Sequence, residues 1–239
     1  MPSKIKGNLY IIPSSISENN LFPEINKTII NNIDYFVVEN IKVSLGFVKK
    51  ICPNKILNYE NFELLNEKDP VQTSQQLKPC LEGKDIGLLT DAGCPNIADP
   101  GSKLILHAHQ NNINVIPLVG PSSILLAMMS SGLNGNNFSF NGYFPVDKNE
   151  RIKRIKQLEI LSKKHNQSQI FIETPYRNKA LFEDLIKILN DNTLLCVATN
   201  IGSKKERIKT LSVNDWKRKK LNLEKDPTIF IFHWGDLIF

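Results

Sequence analysis

Short apolar runs alternate with stretches of helical periodicity along the first half of the chain. Four runs fit buried strands, namely LYII (9–12), YFVV (35–38), IGLL (86–89) and NVIPLV (114–119). The stretch SKLILHAHQ follows Asp99-Pro100, which fits a helix N-cap with proline at the first helical position. SSILLAMMSSGL follows Gly120-Pro121 and has the length of a second helix. Strands that alternate with helices in this way predict a mainly parallel sheet covered by helices on its faces.

A second α/β pattern begins after NGYFPVDKNER (141–151), which has the turn residues and the shift in charge of a linker. The predicted order is helix RIKRIKQLEILSKK, strand QIFIE, helix NKALFEDLIKILN, strands TLLCVAT and RIKTL, a short helix, and strand TIFIFHW. Ser212, with Asp215 three positions on, fits the N-cap of the short helix. We therefore predict two α/β domains, residues 1–143 and 144–239.

The loop after the strand at 86–89 is dense in turn residues. It reads TDAGCPNIADPG (90–101), and the next strand ends in GPSS (120–123). Gly93 would let backbone approach a ligand, Pro95 and Pro100 would stiffen the loop, and Asp91 supplies a carboxylate. Because open α/β sheets bind ligands at the carboxyl ends of their strands, the two loops predict a cleft for a compact polar molecule. Turn formation alone explains the same residues.

Composition places the chain among globular proteins, because 41% of its 239 residues are apolar and 23% are charged. No apolar run approaches the roughly 18 residues of a membrane helix. The first residues lack the pattern of a signal peptide, so we expect a cytoplasmic protein. Four cysteines and four histidines show no C-x-x-C or H-x-x-x-H spacing, which predicts no metal site.

The excess of positive charge lies in the second half. Residues 1–143 contain 11 Lys and Arg against 12 Asp and Glu, whereas residues 144–239 contain 19 against 12. Such a bias suits a polyanionic partner such as RNA, although lysine-rich solvated surfaces are common. The sequence contains no G-x-x-x-x-G-K-[ST], G-x-G-x-x-G or G-x-S-x-G motif. Kinase, classical dehydrogenase and serine hydrolase functions therefore lose their main support.

Four segments, LLTDAGCPNIADPG, VIPLVGPSSILLAMMSSGL, FNGYFP and IFIETPYR, occur in an order that resembles the tetrapyrrole methylase superfamily. The similarity is closest to the ribosomal RNA small-subunit methyltransferase I family. This resemblance implies two α/β domains of the tetrapyrrole-methylase type, with S-adenosylmethionine in a cleft between them. It also implies a homodimer and methylation of a ribose 2′-hydroxyl of a cytidine in 16S ribosomal RNA.

Cofactor-binding residues follow from the resemblance position by position. In the predicted first domain they are Pro13, Asp91, Ala92, Gly93, Cys94, Ser122, Ser123 and Ile124. In the second they are Glu173, Thr174, Asn200, Ile201, Pro227 and Thr228.

Glu39 is our candidate catalytic residue, because a ribose hydroxyl is a poor nucleophile and needs a proton acceptor. Capping of the helix after the strand, or pairing with Lys42, is the alternative explanation of Glu39. Two segments differ from the family. Its T-P-I-G-N-L loop stands here within residues 12–21, which keep the proline but lose the glycine, and its A-E-D-T-R motif stands here as residues 38–42, with one carboxylate lost and lysine in place of arginine. A small-molecule methyltransferase acting on a tetrapyrrole precursor, or a non-catalytic RNA-binding protein, therefore remain alternatives to an enzyme acting on the small ribosomal subunit.

Other side chains each have two interpretations. Asp91 could form an Asx turn rather than bind a cofactor. Arg177 fits a phosphate or a carboxylate at a domain interface, and Tyr143 and Phe144 fit base stacking or core packing. Cys94 is expected to pack.

Overall fold

A computed structural model of the protein describes residues 5–19, 22–223 and 225–235. The chain forms two units that divide between Ser122 and Ser123. Each unit contains one five-stranded sheet flanked by helices. The predicted α/β class with two α/β domains is confirmed.

The first unit is built on a parallel sheet. Its strands are β1 (Asn8–Ile11), β2 (Tyr35–Val38), β3 (Phe62–Leu64), β4 (Ile86–Leu89) and β5 (Asn114–Pro117). They lie in the order β3-β2-β4-β1-β5, and every neighbouring pair is parallel. The carboxyl ends of all five strands therefore lie at one edge of the sheet.

Helices cover both faces of this sheet. They are α1 (Glu24–Asn31), α2 (Ile41–Ile51), α3 (Pro70–Gln76), α4 (Lys78–Leu81) and α5 (Ser102–Gln110), with a 3₁₀ turn at Tyr59–Asn61. Successive residues of β2 enter different cores: Phe36 and Val38 pack in one apolar cluster, and Val37 packs in the other. Burial on both faces explains why the central strands β2 and β4 are continuous apolar runs rather than alternating ones.

Helix α5 begins later than the sequence indicated. Asp99 and Pro100 were predicted as N-cap and first helical residue, but α5 begins at Ser102, and Gly101 is its N-cap. Gly101 has φ 139°, and the Pro100 carbonyl accepts a hydrogen bond from Asn96 N at 3.2 Å. This loop contact keeps Asp99 and Pro100 outside the helix, so the capping prediction was wrong.

The second unit contains a mixed sheet. Its strands are β6 (Phe138–Tyr143), β7 (Ser168–Glu173), β8 (Leu194–Thr199), β9 (Arg207–Ser212) and β10 (Thr228–His233). Their order is β6-β7-β10-β8-β9; β6 and β7 are parallel, and the other pairs are antiparallel.

Four helices flank this sheet: α6 (Ser123–Ser131), α7 (Lys148–His165), α8 (Asn178–Ile188) and α9 (Val213–Lys217). The core is rich in aromatic rings, and Phe171 contacts Phe144 edge to face with their centroids 4.7 Å apart. Ser212 Oγ accepts a hydrogen bond from Asp215 N at 3.1 Å, so the predicted cap of α9 is confirmed.

Helix α6 and strand β6 belong to the second unit, although the sequence suggested a boundary after residue 143. Strand β6 pairs with β7, and Thr210 on β9 donates a hydrogen bond to the Ser131 carbonyl of α6 at 2.6 Å. Because of these contacts, the second unit begins at Ser123 rather than after residue 143. Within the described ranges, no helix is long and apolar enough to cross a membrane.

Candidate functional site

Two loops at the carboxyl edge of the first sheet are joined by hydrogen bonds. Ser14, which follows β1, donates its N–H to the Gly93 carbonyl at 2.8 Å, and its hydroxyl donates to the Thr90 carbonyl at 3.0 Å. Pro13 and Ser14 are buried, whereas Asp91 and Ala92 are exposed beside them. The structure therefore places Pro13 and Asp91 to Cys94, which the resemblance assigned to the cofactor, in one connected loop region.

The loop at 90–101 holds a strained backbone. Ala98 has φ 63° and Asn96 has φ 69°, in the left-handed region that residues with a Cβ seldom occupy. Such a conformation persists only where surrounding contacts hold it, and here Ile97 N also donates to the Cys94 carbonyl at 3.1 Å. The Ile97–Cys94 bond closes a β-turn, so turn formation and a ligand-binding surface both fit this loop.

A cluster of carboxyl groups lies at the ends of β2 and β4. Glu39 follows β2, and its Oε2 accepts a hydrogen bond from Asp91 N at 3.2 Å. Burial raises the pKa of Asp91, and the negative charge of Glu39 raises it further. Glu39 therefore contacts the candidate cofactor loop, while Asn40 provides the cap of α2 by accepting from Val43 N.

Asp99 is the third carboxyl of this cluster, and the sequence-based assignment of site residues missed it. Burial raises its pKa from 3.8 to about 6; the charges of Glu39 and Asp91 also raise it, and the Thr90 hydroxyl lowers it. Asp99 and Asp91 both lie in the loop TDAGCPNIADPG, but the sequence does not show which carboxyl groups the folded loop brings close together.

We predict that Asp99→Asn stabilises the protein more at about pH 8 than at about pH 4. The folded-state pKa is raised, so the stability contributed by proton binding is full below 3.8 and is lost as the pH rises through about 6. The rise in the Asp99 pKa from 3.8 to about 6 limits the difference in stability to about 3 kcal/mol. Because Asp99 is partly exposed, solvent screening reduces the difference that we expect to about 1 kcal/mol. Urea unfolding of both proteins at the two pH values measures the difference. An equal effect at both would contradict the prediction.

The loop after β5 packs against Pro13 in the loop after β1. Gly120 lies so near Pro13 that an added Cβ would be 2.4 Å from the proline Cβ. The Cys94 thiol donates to the Pro121 carbonyl at 3.5 Å. Burial raises the pKa of Cys94, the charge of Asp99 adds to this, and the Ser122 side chain lowers it. Cys94 therefore packs as a neutral thiol between two candidate loops.

Ser123 and Ile124 belong to the second unit, as the first residues of α6. The Ile124 side chain is buried, whereas Ser123 is partly exposed. Of these two side chains, Ser123 is the one with surface available to a ligand.

Glu173 and Arg177 form an ion pair in the second unit, in which the carboxylate is buried and the guanidinium is partly exposed. Glu173 Oε1 accepts from Arg177 Nε at 2.9 Å and from Thr174 N at 2.6 Å, and the glutamate side chain is 1% exposed. Arg177 therefore binds a carboxylate of its own unit. Glu173 shapes the turn between β7 and α8. Of the two assigned residues in this turn, the exposed Thr174 is the one that a ligand can reach.

Thr228 lies in a second polar network, where β10 begins. Its hydroxyl donates to the Asp226 carbonyl at 2.9 Å, and Asn178 Nδ2 donates to the same carbonyl at 2.7 Å. Asn200 N donates to the Pro227 carbonyl at 2.9 Å. These contacts bring the assigned residues Asn200, Pro227 and Thr228 together.

Some residues of this network are exposed enough to contact a ligand, and others are buried. Pro227 is exposed and Asn200 half-buried, whereas Thr228 and Ile201 are buried. The last two therefore shape the segment rather than line its surface.

The two aromatic residues Tyr143 and Phe144 differ in exposure. Phe144 is a core residue, 4% exposed, whereas Tyr143 is 54% exposed. Within residues 5–19, 22–223 and 225–235, no group of three or more His, Cys, Asp or Glu side chains is arranged to hold a metal ion.

No protein-family model matches the chain, but curated proteins are similar to nearly all of it. The ribosomal RNA small subunit methyltransferase I of Buchnera aphidicola subsp. Schizaphis graminum is 31% identical over 235 residues, covering 94% of this chain and 77% of the relative. The protein of that name from Vibrio cholerae is 26% identical over 228 residues, covering 94% and 76%. The one from Thermotoga maritima is 35% identical over 164 residues, covering 68% and 69%.

Proposed function

The chain belongs to the ribosomal RNA small subunit methyltransferase I family and is a methyltransferase, and from this premise we propose that it methylates ribosomal RNA with S-adenosylmethionine. The acceptor we propose is the ribose 2′-hydroxyl of a cytidine in 16S RNA. The observation that carries the proposal is the 31% identity that extends over 94% of the chain.

The chemistry of the first unit fits this cofactor. S-adenosylmethionine supplies a methyl group activated by a positively charged sulfonium, and it also carries an ammonium group. The carboxyl groups of Glu39, Asp91 and Asp99 form a cluster whose mutual repulsion a cation would relieve. Asp91 is exposed and able to reach a ligand. The cluster therefore provides an electrostatic setting suited to a cationic cofactor.

We assign the remaining cofactor contacts to the residues named by the resemblance. The first unit would contribute residues 91–94 and Ser122, and the second unit Ser123, Thr174, Asn200 and Pro227. The other assigned residues are buried, so they would act by shaping these segments: Pro13, Ile124, Glu173, Ile201 and Thr228. The chain's task is to position the acceptor for in-line displacement at the methyl group.

Glu39 is our proposed proton acceptor, because it is exposed at the strand end and its hydrogen bond with Asp91 N fixes it beside the candidate cofactor loop. We predict that Glu39→Gln lowers kcat by about 100-fold or more, since general base catalysis typically contributes about 10²–10⁴. Tritium transfer at saturating cofactor measures kcat. Glu60→Gln, another exposed carboxyl of the first unit, is the control and should leave kcat unchanged. Full turnover by Glu39→Gln would remove Glu39 from catalysis.

The proposed function is tested in two steps on one preparation. Isothermal titration with S-adenosylmethionine should show binding, and Asp91→Ala and Ser123→Tyr should each weaken it at least tenfold, through a lost carboxylate and an inserted ring. Tritium transfer onto small ribosomal subunits from a strain lacking this methyltransferase should then label 16S RNA at a cytidine ribose.

Each step separates the alternatives. Binding without label on ribosomal RNA would direct the search to a small-molecule acceptor such as a tetrapyrrole precursor. Absence of cofactor binding combined with salt-dependent RNA binding would favour a non-catalytic RNA-binding protein. We also propose a homodimer, which sedimentation equilibrium of the same preparation tests.

A further inference from the structure

The second unit contains a cavity of about 400 Å³ whose lining is entirely polar or charged. It is formed by the loop between β8 and β9 and by the segment before β10, with the residues Asn200, Lys204, Lys205, Glu206, Arg207, Asn222 and Asp226. This volume is at the small end of the range of ligand pockets, about 300–1,000 Å³. Because polar or charged groups end every lining side chain, the cavity favours a polar ligand.

The loop that forms the cavity is held in place by its own hydrogen bonds. Asn200 has φ 53°, and its carbonyl accepts from Ser203 N at 3.0 Å. Ser203 Oγ accepts from Lys205 N at 3.0 Å, and Glu206 Oε2 accepts from Gly202 N at 2.7 Å. The backbone positions of the lysines are therefore set before any ligand arrives, which reduces the entropy lost on binding.

The charge balance of the cavity favours an anion. Both carboxylates already have partners in the chain: Glu206 accepts from Gly202 N, and Asp226 Oδ2 accepts from Arg207 Nη2 at 3.0 Å. The cavity contains three cationic side chains against these two, so the net charge of its lining is positive. A divalent cation would meet the lysine ammonium groups and is disfavoured.

We propose that this cavity binds a phosphodiester group of the RNA substrate, with Lys205 and Arg207 among its cationic contacts. The inference rests on the proposed function and locates one RNA contact on the second unit. Asn200 lines the cavity and Pro227 contacts Asn200, so a phosphate held here would bring RNA beside residues assigned to the cofactor. Arg207 can contact phosphate while its Nη2 remains on Asp226, because a guanidinium has five N–H donors.

The test compares Lys205→Glu with Lys187→Glu, which makes the same charge change at an exposed lysine of α8 outside the cavity. Binding of small ribosomal subunits lacking the methyl group is measured over a series of salt concentrations, and S-adenosylmethionine affinity is measured by calorimetry. We expect Lys205→Glu to weaken subunit binding about tenfold, and to reduce the slope of log Kd against log salt by about 1. Lys187→Glu should change neither quantity, and cofactor affinity should be unchanged in both variants.

Three results would overturn the inference. Equal subunit binding by the two variants removes the cavity from the RNA contact while the proposed function stands. Loss of cofactor affinity in Lys205→Glu, with subunit binding retained, assigns the cavity to the cofactor instead. If the unaltered protein neither binds nor methylates subunits, the proposed function fails together with the inference.

Discussion

Replacing Arg177 by methionine should lower the free energy of unfolding of the second unit by about 3 to 5 kcal/mol, because it leaves the carboxylate of Glu173 buried without a counter-charge. Glu173 has a side chain only 1% exposed, and its Oε1 accepts two hydrogen bonds from the Arg177 guanidinium. Methionine keeps much of the side-chain length, so the change removes the charge more than the packing. Urea unfolding followed by the fluorescence of Trp216, which is buried in the same unit, measures the loss.

Two further variants separate a buried ion pair from a general effect of removing positive charge. Lys217 pairs with Asp191, but both side chains are exposed, so Lys217→Met should change stability by less than about 1 kcal/mol. Glu173→Gln combined with Arg177→Met should be more stable than Arg177→Met alone, since no charge is then buried. If the double variant is no more stable, the packing of Arg177 rather than its charge is responsible.

Gly120→Ala should destabilise the first unit by about 2 to 3 kcal/mol, the upper part of the range for inserting a methyl group into a filled site. The new Cβ would lie 2.4 Å from Pro13 Cβ and 2.7 Å from its Cγ, and a proline ring cannot rotate away. The loops after β1 and β5 must then separate, so we expect weaker binding of S-adenosylmethionine as well. Thermal unfolding and calorimetry measure the two effects.

Gly46→Ala is the matched control for this substitution. Gly46 lies in α2, and its added Cβ would have no atom within 4 Å, so alanine should stabilise the helix by about 0.5 to 1 kcal/mol. We therefore expect glycine-to-alanine substitution to lower the free energy of unfolding at Gly120 and to raise it at Gly46. Gly120→Ala with wild-type stability and cofactor affinity would show that the loops move apart freely and that their contact is unimportant.

Periodicity in the sequence was sufficient for most of the elements. The segments YFVV and IGLL coincide with β2 and β4, and TLLCVAT corresponds to β8. These runs are largely apolar along their whole length because their strands are buried, which leaves a local signal. The cap of α9 was also predictable, since Ser212 contacts a backbone N–H only three residues away.

Elements with a weak local signal were missed or shifted. Strand β3 has only three residues, and β6 contains Gly142 with φ 64° and an irregular register with β7 between Phe140 and Tyr143. The segment at 141–151 therefore resembled a linker, although part of it pairs with β7. Such pairing is decided by a partner strand distant in the sequence, which a local pattern does not contain.

By itself the sequence determined most of the elements, the α/β class and the motifs that carry the family resemblance, because each depends on residues close together in the chain. Only the tertiary structure decided which functional groups meet. Glu39 and Asp91 are 52 positions apart, and they are in contact because β2 and β4 are neighbours in the sheet. The pairing of β2 with β4 and the burial that raises the pKa of Asp99 both result from packing of the whole unit. The carboxyl cluster is therefore visible only in the folded structure.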